Sequence, residues 1–400
     1  MIRHLFRLIW NRKRANALLL SEIFFSFIVL FGVGALLCNF GRNYLLPFGF
    51  QHANVWRLNI APGQGEQMPR AQLDDVVRQL RALPGVEDLT LASFNTPFRF
   101  LNNNTSYVYG SNVLNGVDNY EADDRYAQTM GLKLRAGRWF TTADDAASHT
   151  PTVITQNTSD ALFGEGQPAI GKRFRWHSSF GPDTSKKEFQ VVGVVENVRA
   201  GGDFSAQTPS SWRRYMPHDT SSWGGATVLV RVAPGQGAAL QQRMVHTVAG
   251  LTRKWSTQVY ALEADRLDKL KPTLAPLAAL ALIAVFLIVN VALGLFGVLW
   301  YNISQRRTEI GLRRALGATG MGIGWQFLGE VLILTTLGVL GGALLAVQFP
   351  LLHAFDVAGQ VYVEAMLLAT GLIFMVTAIC AWQPSRLAAA IQPATALREE

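Results

Sequence analysis

The residues from which chemistry would have to be built in this 400-residue chain are few and poorly grouped. Its histidines, at positions 4, 52, 149, 177, 218, 246 and 353, never fall into an HExxH or comparable ligand spacing. Serine and aspartate are plentiful, yet no GxSxG turn presents a nucleophile. Gly166 to Arg173 reads GQPAIGKR, which follows a phosphate-binding loop as far as the lysine. It then places Arg173 where Ser or Thr would hold magnesium, and a turn is the better reading. Cys38 and Cys380 lie in apolar runs at opposite ends of the chain, so neither a disulfide framework nor a metal motif follows. Enzymatic chemistry has no positive support, and no cofactor site on this chain is expected.

Two carboxylates stand out because of where they sit. Glu22 and Glu330 are embedded in apolar runs, where an ionisable group is costly unless paired, hydrated or functional. Glu22 is close enough to the end of its run to reach water, whereas Glu330 lies deeper and is expected to meet another helix. A proton relay would require more polar partners than these runs contain.

The runs themselves set the architecture. Only 16% of residues are charged, against roughly 25% in an average soluble domain. Spanning a hydrocarbon core of ~30 Å takes ~20 apolar residues in a helix, and segments 17–40, 272–301, 321–352 and 361–383 meet that length. Pro272 and Pro276 stand at the expected entrance of the second span, where a helix start tolerates proline. Gly338 and Gly342 form a GxxxG in the third span, a pattern that permits close helix packing. Ala35, Leu36 and Leu37 before Cys38 argue against a processed lipoprotein signal, so the first span is expected to stay as an anchor.

Orientation follows from the flanking charges, because Lys and Arg concentrate in cytoplasmic loops. Arg3, Arg7, Arg12, Lys13 and Arg14 precede the first span, Arg306, Arg307, Arg313 and Arg314 separate the second from the third, and Arg386 and Arg398 follow the fourth. The net charge of +8 therefore reflects topology rather than a nucleic-acid face. Both termini and the 302–320 loop are expected to be cytoplasmic, with residues 1–16 and a 384–400 tail on that side. Residues 41–271 are expected outside as an α+β domain of two subdomains. Within it, Val55–Ile60, Val86–Ala92, Glu188–Val195, Ala226–Val232 and Gln258–Leu262 read as strands. Arg70–Leu83 and Ala238–Leu251 have helical spacing, and the Gly, Ser and Pro-rich stretch before Ala226 reads as loop.

The most specific segment is RRTEIGLRRALGATGMGIGWQFLGEVLIL, Arg306 to Leu334. Ile310, Leu312 and Leu316 supply apolar contacts among four arginines, as in a short surface helix with a basic face. This segment resembles the FtsX-like permease domain of MacB-type ABC transporters, and the tail PSRLAAAIQPATALREE resembles that family's ending. LPGVEDLTLAS, GLKLRAGRWFT, LFGEGQPAIGKRF and FQVVGVVENV resemble the MacB-like periplasmic core domain. The similarity covers nearly the whole chain.

The resemblance implies a permease subunit in the bacterial inner membrane that pairs with a second permease copy, identical or paralogous. It implies a separate ABC ATPase that binds ATP and magnesium and a 1–16 amphipathic helix along the cytoplasmic surface, and it admits a periplasmic adaptor protein. Arg306, Arg307, Glu309, Ile310, Arg313, Arg314 and Leu316 are the expected contacts with the ATPase. Some MacB-type exporters carry the ATPase ahead of the first span; here sixteen residues precede Ala17, so hydrolysis is expected in a partner. Motion of the outer domain for export or extraction of an amphiphilic substrate is the implied function. The other reading is an FtsX-like signalling or scaffold protein that regulates an outer partner.

Overall fold

The computed structural model describes residues 13–63, 68–92, 95–100, 102–178, 188–214, 225–252, 255–352 and 357–390. The expected 1–16 helix and 384–400 tail lie largely outside them. In chain order the elements are α1 (Lys13–Leu45), β1 (Val55–Ala61), α2 (Arg70–Arg81), β2 (Val86–Ala92), β3 (Asn104–Tyr109), β4 (Asn112–Ala122), α3 (Tyr126–Met130) and β5 (Leu134–Gly137). There follow β6 (Thr150–Thr155), α4 (Gln156–Phe163), β7 (Arg173–His177), β8 (Glu188–Val195), β9 (Ser210–Arg214), β10 (Ala226–Val232), α5 (Ala238–Thr252) and β11 (Ser256–Ala261). The chain ends with α6 (Leu262–Gln305), α7 (Arg307–Ala315), α8 (Gly320–Ala346), α9 (Gln348–Leu351) and α10 (Gly359–Ala390). Asn43–Thr273 forms one compact unit, and the flanking sequences form the other.

In the first unit, β1–α2–β2 and β10–α5–β11 build an antiparallel sheet in the order β11-β1-β10-β2, a split βαβ arrangement. Helix α2 buries Leu73, Val76 and Leu80, one side of a 3.6-residue repeat, beside Leu240, Met244 and Val248 of α5. These meet Leu58, Leu91, Val228 and Val230 on one sheet face. Strand alternation sends Val55, Ala92 and Leu229 to the opposite face, where they join Tyr120, Trp139, Phe140 and Trp212. Each such side chain stabilises the fold by about 1.5–3 kcal/mol through burial.

Between β2 and β10 the chain inserts a second strand system. Pairings β4–β3, β3–β7, β7–β8, β8–β6, β6–β9 and β9–β4 close on themselves, which leaves no free strand edge in the circuit. Tyr107, Ile154, Phe174, Phe189 and Val191 fill it together with Leu162 and Phe163 of α4. Tyr107 donates to or accepts from Ser211 Oγ at 2.9 Å, and burial pushes its hydroxyl pKa up to about 12. The stretch read as loop before Ala226 thus contains β9. Ser210 and Ser211 are polar but fully buried: the Ser210 hydroxyl donates to the Thr208 carbonyl at 3.1 Å, the Ser211 hydroxyl pairs with Tyr107, and the Ser210 backbone N–H donates to the hydroxyls of Thr155 and Thr158 at 3.0 Å each. Satisfied hydroxyls make a core strand look like a linker.

A turn after β5 carries one pH-sensitive lock. Thr141 and Asp144 form a reciprocal cap, and Arg138 donates to both Asp144 oxygens at 2.6 and 2.7 Å. The Arg138 hydrogen bonds, foremost, hold Asp144 near a pKa of about 2 instead of 3.8. A depressed carboxylate pKa contributes stability above its unfolded value and loses it as pH falls through its folded value. Asp144→Asn is therefore expected to be less stable than the parent at pH 5, with the gap closing toward pH 2. Denaturant unfolding at several pH values measures that gap.

The other unit contains the flanking apolar helices. Ala17–Leu45, Leu262–Gln305, Gly320–Leu351 and Gly359–Trp382 are each long and apolar enough to cross a membrane. One expectation is corrected here. The second helix starts at Leu262 instead of at Pro272; Glu263 and Asp265 in its first turn suit a helix N-terminus, and both prolines fall inside the helix. The third candidate span, Gly320–Leu351, matches the expected 321–352 run; within it the helix is interrupted at Val347, between α8 and α9, where the Pro350 ring would clash with the carbonyl four residues earlier.

Candidate functional site

The site expected at the 302–320 loop is built by a reversal of the chain around α7. The Ala318 N–H donates to the Arg313 carbonyl at 2.9 Å, and Gly317 between them has φ +96°, a left-handed helix end that glycine alone adopts freely. Thr319 then caps α8, its hydroxyl accepting from the Gly322 N–H at 3.2 Å. Helix, glycine stop and threonine start fix the direction of α7 relative to α8 within this unit.

Side chains fasten one face of α7. Ile310 is buried against Ile303, Ile323 and Phe327. Arg306 reaches both oxygens of Glu330 at 3.4 Å, and both side chains are largely buried. Gln326 donates to Glu330 at 3.3 Å and accepts from Arg313 at 3.1 Å, while Arg313 also donates to Glu309. A polar chain thus runs from Arg306 through Glu330 and Gln326 to Arg313 and Glu309. The free face displays Leu312 and Leu316, 52% and 81% exposed, beside the half-exposed Glu309 and Arg313.

The expected contact set therefore divides. Arg306 and Ile310 turn into their own chain, whereas Glu309, Arg313 and Leu316 face outward. The side chains of Arg307 and Arg314 lie outside the described residues. Glu330 pairs with Arg306, which lies at the turn between α6 and α7, a partner too far along the chain for spacing to reveal.

Gly338 and Gly342 sit where α1 crosses α8. A Cβ on Gly338 would stand 2.7 Å from Ile23, and one on Gly342 would stand 2.5 Å from Phe27. Ile23 and Phe27 are one helical turn apart, so their side chains fill the two glycine notches in register. Glu22 packs against α6, its carboxylate lying in the space that a Cβ on Gly294 would need. Gly342→Leu is expected to destabilise this unit by about 1–3 kcal/mol or more through overpacking. Thermal unfolding of the full chain in detergent would show it, with Gly341→Leu, which faces looser surroundings, changing less.

The phosphate-loop look-alike is occupied by its own structure. Gly171 N–H donates to Val191 at 2.8 Å, Lys172 N–H to Ala169 at 3.0 Å, and the Lys172 ammonium lies over Phe163 at 5.0 Å. Among the described residues no group of three or more His, Cys, Asp or Glu is placed to hold a metal.

A second constellation, unseen in the sequence, surrounds the first turns of α6. Arg57 pairs with Asp265 through two hydrogen bonds of 2.9 and 3.0 Å, and His52 meets Glu263 at 2.8 Å. Arg266 donates to both oxygens of Asp203, the shortest contact being 2.6 Å, and these bonds raise its pKa. Arg199, buried and lowered in pKa by that burial, stacks over Phe48 at 4.1 Å and donates to the Asp203 carbonyl.

Comparison with known proteins agrees with this architecture. Residues 23–247 match the MacB-like periplasmic core domain, and residues 281–393 match the FtsX-like permease C-terminal region. A macrolide export ATP-binding/permease protein of Paracoccus denitrificans is 32% identical over 57% of this chain and 33% of its own length. Another, MacB of Bradyrhizobium diazoefficiens, is 32% identical over 72% of this chain and 44% of its own. The chain thus spans less than half the length of these relatives. The periplasmic region of MacB from Actinobacillus actinomycetemcomitans, a solved structure, aligns at 16% identity over 58% of this chain and 97% of that one, with a TM-score of 0.37. With the core-domain match alone covering more than half of its residues, the chain belongs to the MacB/FtsX-like ABC transporter permease family.

Proposed function

We propose that this protein is the permease subunit of an ABC exporter, in which a partner ATPase docks on the outward face of α7 and drives motion of the outer domain. The observation that carries the reading is the two-sided character of α7. One face is fastened to α8 by Ile310 and the Arg306–Glu330 pair, while the other offers Leu312 and Leu316 beside Glu309 and Arg313. A helix held that firmly passes a push on its free face to the spans instead of yielding to it. Helix α6 then runs as one element from the loop to its start beside β11, where Asp203, Arg57 and His52 grip its first turns.

ATP and magnesium bind to the partner, both termini lie in the cytoplasm, and a second permease copy completes the assembly. An adaptor at the outer domain is compatible with it. The cargo is amphiphilic, in keeping with the macrolide export in the relatives' names. The charge flanks support this orientation, and reporter fusions after residues 150, 310 and 355 test it.

The docking reading predicts a specific loss. Leu312→Asp with Leu316→Asp is expected to weaken ATPase co-purification by about tenfold or more, the scale of removing central apolar contacts from an interface. Membrane insertion should be unchanged, since neither side chain is buried in the chain. A complex that assembles and hydrolyses ATP normally with both substitutions would defeat this docking face.

A further inference from the structure

Two loops of the Asn43–Thr273 unit close around the helix ends that join it to the apolar spans. In the first, the Phe204 carbonyl accepts from the Asn43 amide at 3.0 Å, and the Phe204 ring lies 5.9 Å from Tyr44 near the end of α1. The same loop reaches α6, where Asp203 binds Arg266 and a Cβ on Gly202 would stand 3.3 Å from the Lys269 stem. The second loop joins the first there, because the Phe98 N–H donates to the Ala200 carbonyl at 2.8 Å. Phe98 has φ +66°, a left-handed conformation that is costly for a bulky side chain. Its buried ring packs against Phe48, Phe50 and His52, and this packing holds the turn in place. The turn brings the Arg99 carbonyl to the Lys269 ammonium and leaves Phe100 outward, 63% exposed, with its ring 5.0 Å from that ammonium. Tyr44 and Leu45 are exposed as well.

We infer that this collar is a lipid-binding site, seated in the headgroup layer of the leaflet that the domain faces, with Phe100, Tyr44 and Leu45 turned into it. The occupant follows from distance along the helices. Lys269 stands five residues, about 7.5 Å of helix rise, ahead of Leu274, where an uncharged run to Leu299 begins. The apolar run of α1 ends at Cys38, six residues or about 9 Å before Tyr44. A headgroup layer is about 5–7 Å deep on each side of the hydrocarbon. Exposed apolar side chains at that height meet lipid. Tyr44 has the amphipathic ring suited to this layer, and Lys269, with one N–H given to Arg99, keeps donors for a lipid phosphate. The costly turn at Phe98 then has a purpose, since it is what presents Phe100.

The inference needs the apolar helices to span and nothing of the ATPase, so its failure would leave the permease reading standing. The full chain, with Cys38→Ser and Cys380→Ser, carries one nitroxide-labelled cysteine from Phe100→Cys, Leu45→Cys or Val113→Cys. It is reconstituted alone in vesicles of phosphatidylcholine and phosphatidylglycerol. Val113 is the control: it is exposed at the far end of the β3–β4 hairpin, five residues or about 17 Å of strand from Asp118. Asp118 pairs with Asn104, beside the Asn103 that Asn95 of the second loop holds. With nickel carried on chelating lipid headgroups, relaxation of the labels at 100 and 45 is expected to be several times that at 113. A soluble nickel complex should reverse the order. Equal relaxation of 100 and 113 by lipid-borne nickel would overturn the site. So would shielding of 100 from both forms of nickel, which would place protein over the collar, or relaxation at 45 alone, which would leave the Phe100 loop out of the lipid.

Discussion

Replacing Glu330 with leucine is expected to destabilise the membrane unit by about 3–5 kcal/mol, because Arg306 would keep its charge in a buried position with no carboxylate to meet. The size of the effect comes from the half-pair left behind. The double replacement Arg306→Met with Glu330→Leu removes both charges and should recover stability to within about 1–2 kcal/mol of the parent, since a buried ion pair is often no better than apolar side chains of similar volume. Thermal unfolding of the full chain in detergent separates the two variants. Functionally they should separate as well: the single variant loosens α7 and lowers ATPase assembly, whereas the double variant keeps Ile310 and the apolar cluster and retains part of it. A Glu330→Leu protein as stable as its parent would mean that the Arg306 contact contributes nothing, and the rigid-lever account of α7 would fall with it.

How much of this could be read from residues alone varies with the distance over which the determining contacts act. The helix at Arg70–Arg81 and the strand at Ala226–Val232 announce themselves through local periodicity, since Leu73, Val76 and Leu80 recur at one side of a helix and Val228 and Val230 alternate in a strand. The four apolar helices are visible for the same reason. Strand β9 is hidden, because its polar groups are satisfied by partners that spacing does not reveal, the Ser211 hydroxyl by Tyr107 and the Ser210 backbone N–H by threonines some fifty residues earlier in the chain. The start of α6 is hidden too. Its first turns are polar and bonded to Asp203, Arg57 and His52, so hydropathy marks only where the helix becomes apolar. At the loop, composition picks out the right segment but not its faces. Ile310 and Leu316 are both apolar, and only the fold decides that one is buried and the other 81% exposed.

Asp203→Ala should be as damaging to the outer domain as the loss of Glu330 is to the membrane unit, and for a related reason. Its carboxylate is nearly inaccessible and accepts from both Nε and Nη2 of Arg266, while its carbonyl accepts from the buried Arg199. Removing the carboxylate leaves Arg266 partly buried close to the Arg199 guanidinium, with the half-exposed Glu263 as its remaining carboxylate at 2.9 Å and the Phe48 ring as apolar surface. The expected cost is about 3–5 kcal/mol, and Arg266→Leu introduced with Asp203→Leu should recover much of it. Under the proposed mechanism the double variant carries the sharper consequence. Arg57–Asp265 and His52–Glu263 still hold α6, but the grip nearest β9 and the closed strand circuit is gone. Partner ATPase should bind and hydrolyse at near the parental rate, because α7 is untouched, while export falls. Unchanged export in a folded double variant would show that force reaches the outer domain by another route; loss of hydrolysis together with export would place this cluster in assembly instead of transmission.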